Sequence, residues 1–182
     1  MSASEGMKIQ SGSSLPADDP TRNLVVTRAD KETPPHIGLV GDTYTTLLSG
    51  NDTAGRFCLI DMHIPPGGGP PPHRHDFEES FIILEGEIEA IFRGEKSLHV
   101  AGETLHIPAN APHQFHNQSS RSARLLCICS PAGQEEFFAK VGVPVATRTT
   151  PPPKLDEKAQ AEFRAKAEAL APEYETELLR HA

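Results

Sequence analysis

Between residues 36 and 130 the chain alternates short apolar runs with turn residues. The runs are "HIGLVGDTYTTLLSG", "GRFCLIDMHIPPGGG", "EESFIILEGEIEAIFRGEKSLHVAGETLHIPANAPHQFHNQS" and "ARLLCICS", with Gly at nearly every junction. Turn signals recur every 8 to 12 residues or so, with no helical period between them, a pattern that predicts an all-β sandwich or barrel. In "RFCLIDMHIP", Cys58, Ile60, Met62 and Ile64 share one parity while Asp61 and His63 share the other. The first set is predicted to face the core or a pocket. "FIILEGEIEAIFRGEKSLHV" reads as a hairpin followed by another strand, with Gly86 and Gly94 at the turns.

On either side of this region the pattern changes. Residues 1–22 are rich in Ser, Gly, Pro and Asp, lack periodicity, and are predicted to form a flexible arm. After Ser130, "PAGQEEFFAKVG" carries acids early and Lys140 late, as a short helix prefers. A Pro-rich spacer follows, and then an Ala/Glu/Lys-rich tail with Leu155, Phe163, Leu170, Tyr174 and Leu178 as sparse anchors. The tail is predicted to be helical and interrupted at Pro172. The expected organisation is an arm (1–22), a β-barrel (23–133) and a C-terminal helical extension (134–182), with no long internal repeat.

Composition narrows the function classes. A chain of 182 residues suits one domain with appendages. With 25 acidic against 17 basic side chains the formal charge is -8, and no Lys/Arg cluster exceeds a pair. Neither a nucleic acid nor an anionic membrane surface fits such a chain, because both need a basic face. The N-terminus has no basic segment leading into an apolar one, so a soluble, cytoplasmic protein is expected, starting at Met1 or Met7. Cys58, Cys127 and Cys129 are odd in number, form no CxxC pair and read as small buried hydrophobes.

The chemistry lies in "GGGPPPHRHDFEESFIILEG" (67–86). Treated as a strand entering from a Pro-rich loop, it places His73, His75, Phe77, Glu79, Phe81 and Ile83 on one face. Asp76 and Glu78 point the other way. Two imidazoles and a carboxylate converging inside a sheet are what a metal needs and what a core without one avoids. In "GETLHIPANAPHQFHN" (102–117), a turn from Ala109 to Pro112 delivers His113 to the start of the next strand, with Phe115 on the same face. His113 would then be the third imidazole. His36, His63, His99, His106, His116 and His181 are read as ordinary surface or satisfied histidines.

These two stretches resemble the paired motifs of the cupin superfamily. The first fits G-x5-H-x-H-x3-E-x6-G at Gly67, His73, His75, Glu79 and Gly86. The second fits G-x5-P-x-G-x2-H-x3-N at Gly102, Pro108, His113 and Asn117. Asn110 stands where the family usually has Gly, and Asn tolerates the positive φ that the turn needs. The resemblance implies a cupin jelly-roll barrel with short C-terminal helices and a divalent metal (Mn, Fe, Ni, Co, Cu or Zn) on His73, His75, Glu79 and His113. Within the superfamily the chain looks like the single-domain quercetinase-like proteins. That likeness implies a dioxygenase in which Glu79 is both ligand and base.

By parity the wall beside the site is apolar: Ile60, Met62, Phe77, Phe81, Ile83 and Phe115. No arginine pair shares that face, so the substrate is expected to be a hydrophobic or aromatic hydroxy or keto compound rather than a sugar phosphate. Different chemistry on the same site, an O2-independent lyase or isomerase or a non-catalytic binder, is the alternative. Ile82 and Leu84, apolar on the opposite face, lead us to expect a homodimer.

Overall fold

The computed structural model describes residues 15–32 and 34–180. Most of the predicted arm lies outside these residues, and the described residues before His36 carry no helix or strand. The elements run β1 (His36–Leu39), β2 (Asp42–Leu48), α1 (Gly50–Thr53), β3 (Cys58–Ile64), β4 (His73–His75), β5 (Glu78–Glu85) and β6 (Glu87–Phe92). There follow β7 (Glu95–Val100), β8 (Thr104–Ile107), β9 (His113–His116), β10 (Ala123–Ser130), α2 (Gln134–Val141), β11 (Val143–Pro144) and α3 (Glu157–Leu170). A 3-10 turn (Ala171–Tyr174) leads into β12 (Thr176–Leu178).

The strands build two antiparallel sheets, β11-β1-β2-β3-β10-β5-β8 and β12-β4-β9-β6-β7, forming the jelly roll expected from the alternation. Ile60, Ile64, Ile83, Ile88 and Leu125 are almost completely buried between them. Each contributes about 1.5–3 kcal/mol of transfer free energy to the core.

The hairpin expected at Gly86 does not form. β5 pairs with β10 and β8 in the larger sheet, while β6 pairs with β7 and β9 in the smaller. Gly86 is instead a corner between the sheets. Its φ is 76°, and a Cβ there would meet the Ala123 Cα at 2.9 Å. The hairpin is the next one along, β6–β7, whose two turn residues Arg93 and Gly94 both have positive φ, the conformation that matches strand twist.

Of the histidines read as surface or satisfied, His36 is satisfied: it is buried at the start of β1, with Nδ1 2.7 Å from Thr45 Oγ1. His181 lies outside the described residues. The C-terminal segment is helical in α2 and α3 but also supplies strands, with β11 pairing with β1 and β12 with β4. Leu178, read as a helical anchor, is therefore a strand residue. No described helix is long and apolar enough to cross a membrane.

Candidate metal centre

Each of the four sequence-predicted donors comes from the end of a short element. His73 and His75 occupy alternate positions of β4, Glu79 is the second residue of β5, and His113 opens β9 opposite His73. The sequence reading took 73–83 as one strand, but β4 lies in the smaller sheet and β5 in the larger. The facing sheets preserve the parity: His73, His75, Phe77, Glu79, Phe81 and Ile83 are all buried, whereas Asp76 and Glu78 are exposed.

The turn before β9 is as Asn110 suggests, with φ at 66°. Asn110 also ties the end of β4 in place. Its backbone N–H donates to the His75 carbonyl at 2.7 Å, and its Nδ2 donates to Asp76 at 2.6 Å. Asn117, the last motif residue, is fully buried. Its Nδ2 donates to the carbonyls of Ile64 and Arg121, while its Oδ1 accepts from Ser119, so it braces the loop rather than facing the site.

Ring orientation is set by backbone carbonyls. The Nδ1 atoms of His73, His75 and His113 lie 2.8, 3.0 and 2.9 Å from the carbonyls of Pro71, Phe77 and Ala111. A carbonyl only accepts, so all three Nδ1 atoms are donors, an arrangement that fixes the tautomer of a metal-ligating imidazole. Phe77 stacks on His75 at 3.8 Å between ring centroids and 2° between planes, and so holds that ring from the side.

With Nδ1 committed, each neutral imidazole directs its Nε2 lone pair inward. His75 Nε2 and His113 Nε2 lie 3.0 and 3.1 Å from the same oxygen, Glu79 Oε2. A lone pair against a carboxylate at that distance is repulsive unless a proton or a cation stands between them. Burial alone would raise the Glu79 carboxyl, but where protons rather than a cation fill these gaps, the hydrogen bonds from His113 and His75 hold it well below the usual range. Burial lowers His73 to about 4, with His113 adding to the effect. At His113 burial also lowers the pKa, but the Glu79 hydrogen bond and charge outweigh it, giving a net rise. One donor atom from each of the four residues lies within 4.8 Å of the others. Three oriented imidazoles and a carboxylate, with no thiolate among the four, fit a first-row divalent ion.

A cavity of about 960 Å³ opens beside the cluster and reaches His73 and Glu79. Of the six predicted wall residues, Met62, Phe81 and Phe115 line it. Ile60 and Ile83 do not; they are packed in the core, and Phe77 is occupied by its stack on His75. Tyr44, Phe137, Phe138 and Phe163 add aromatic rings to the apolar wall. Phe137 and Phe138 were legible only as the apolar side of a short helix, and nothing local in the sequence marks Tyr44 or Phe163 as cavity residues. Exposed Lys96, Lys154 and Arg164 also line the cavity.

The thiols of β10 were likewise missed. Cys127 Sγ lies 3.2 Å from Glu79 Oε1. Its contact with Cys129 lowers the Cys127 pKa, but burial and the neighbouring charges push it up to about 12, so it is a donor and not a nucleophile.

A two-sheet jelly roll with three imidazoles and a carboxylate on its inner walls defines a class, the small barrels with a candidate metal site inside. Residues 60–129 match the cupin domain family, which identifies this stretch of the barrel as a cupin domain. Quercetin 2,3-dioxygenase of Bacillus subtilis (strain 168) is 29% identical over 128 residues, covering 70% of this chain and 37% of that protein. The chain spans about a third of the length of the curated relatives it matches. Two solved structures share the fold. A predicted oxalate decarboxylase from Thermotoga maritima has a TM-score of 0.53 at 23% identity, covering 59% of this chain and 99% of that one. The polyketide cyclase RemF from Streptomyces resistomycificus has a TM-score of 0.50 at 22% identity, covering 77% of this chain and 94% of that one.

Proposed function

We propose that the protein is a metal-dependent dioxygenase of the quercetinase type, acting on an aromatic or hydrophobic small molecule with hydroxyl and keto oxygens. The observation that carries this reading is the meeting of two features: the four-donor cluster adjoins, at His73 and Glu79, a cavity walled by Tyr44, Phe81, Phe115 and Phe138. The B. subtilis relative supplies the reaction class. A divalent transition metal on His73, His75, Glu79 and His113 would polarise a substrate oxygen and, if redox-active, open a route to O2.

The chain's own groups do the rest. The carbonyls of Pro71, Phe77 and Ala111 keep three Nε2 atoms pointing inward. The aromatic wall orients a flat ligand by edge and face contacts and excludes water from the reacting end. Glu79 Oε2 is ligand and base: it is the acceptor for a substrate hydroxyl proton once His75 and His113 no longer donate to it. The partner is thus a small molecule, and we place the protein in the cytoplasm. We also carry forward a homodimer through the outer face of β5, where Leu84 is exposed and Ile82 half-buried. A monomer in sedimentation would remove that element.

The test is elemental analysis of the wild type, Glu79→Ala and His113→Ala, followed by oxygen-electrode assays of each metal form with a panel of flavonols. Near-stoichiometric metal that is lost in both variants, with O2 uptake, supports the reading. Metal with anaerobic turnover would move the function to a lyase or isomerase, and metal with ligand binding but no turnover to a binder. Absence of metal would overturn it.

A further inference from the structure

Glu79 turns its two oxygens to different chemistries. Oε2 faces the imidazoles, while Oε1 faces sulfur, with Cys127 Sγ at 3.2 Å and Cys129 Sγ at 3.7 Å. The two sulfurs are 3.5 Å apart. Strand register produces this arrangement, since Cys129 is the cross-strand partner of Glu79, and Cys127 that of Phe81, in the β5–β10 pair. Both cysteines are closed to solvent and Glu79 is nearly so. Among the described residues, no donor other than these thiols reaches Oε1. A buried carboxylate oxygen with no donor is costly, and an S–H, weak toward neutral acceptors, is strengthened by an anionic one.

We infer that Cys127, backed by Cys129, is a positioning residue that holds Oε1 away from the imidazoles so that Glu79 offers one oxygen, Oε2, to the ion. This rests on the metal reading above. The terminal torsion of a glutamate is broad and weakly restrained, so without the S–H the carboxylate turns freely and both oxygens compete for the ion. A cysteine that merely fills space would not affect that choice.

The experiment is a Co2+ titration of the whole chain as wild type, Cys127→Ser, Cys127→Ala and Cys127→Val, read by visible absorption, which reports both affinity and coordination number. Cys127→Ser keeps a donor and should retain the wild-type spectrum and an affinity within a few-fold. Cys127→Ala and Cys127→Val should bind about tenfold more weakly, as expected for loss of a ligand's supporting hydrogen bond, with a weaker band as the coordination number rises. Wild-type affinity and spectrum in both would overturn the inference and leave the metal reading standing. A wild type that takes up no Co2+ would overturn both. Should the Ala and Val variants fail to fold, the infrared S–H stretch of the wild type, assigned by its loss in Cys127→Ser, decides. A frequency lowered below that of a free thiol supports the hydrogen bond, and an unshifted one overturns it.

Discussion

Thr176 stands opposite His75, and Leu178 opposite His73, in the antiparallel pair formed by β12 and β4. The strand that carries two of the four candidate ligands is three residues long, and its other neighbour, β9, matches it at a single register position, His73 with His113. The C-terminal residues therefore hold most of the backbone of β4. Further bonds at the ends lengthen the clamp: Asp76 N–H to the Glu175 carbonyl at 2.9 Å and Leu179 N–H to the Pro72 carbonyl at 2.8 Å.

A proline at Glu177, in the middle of β12, removes an N–H and is not tolerated within a ladder. We expect Glu177→Pro to leave the barrel folded by circular dichroism but to weaken Co2+ binding by about tenfold, the scale seen for groups that support metal ligands. Glu177→Ala removes only the exposed ion pair with Arg74 and should bind normally.

Asp42 should give the protein an unusual pH response. Burial raises its carboxyl to about 7, against hydrogen bonds from Tyr44 and the Gly69 N–H that lower it, and Oδ1 has no partner among the described residues. The folded state thus holds a proton that the unfolded chain releases near pH 4. Stability from this group is full below that pH and is lost as pH rises through 7, by an amount on the order of 4 kcal/mol. Urea unfolding of wild type and Asp42→Asn between pH 4 and 7.5 checks this. The variant should lack the decline, and parallel curves would refute the assignment.

Asn117 tests the difference between bracing and binding. Asn117→Ala strips a donor from the carbonyls of Ile64 and Arg121 and an acceptor from Ser119, and should cost about 2–4 kcal/mol in denaturant unfolding. Well below its melting temperature the variant should bind Co2+ as the wild type does.

Phe77 and Phe115 should separate in the same way. Phe77→Leu removes the ring stacked on His75 and should weaken metal binding while leaving KM for a loaded enzyme near normal. Phe115→Leu changes the cavity wall and should raise KM at unchanged metal content. Metal titration beside steady-state kinetics distinguishes the two.

Much of the centre was legible from local order. Side chains alternate across a strand, so equal parity at His73, His75 and Glu79 placed them on one side, and an Asn at position 110 implied a left-handed turn leading to His113. Because both sheets turn their inner faces to the same core, that parity survived an error about where the strand breaks. Periodicity reports which face a residue occupies but is silent about which strand lies beside it. Neighbours are settled by closure of the two sheets. Only that closure put Cys127 against Glu79, made Gly86 a corner instead of a hairpin turn, seated Phe163 of α3 on the cavity, and brought Thr176 from a tail read as helix to the edge of β4. The donors were written into the order of the residues, whereas what holds each donor in place depends on contacts between segments far apart in the chain.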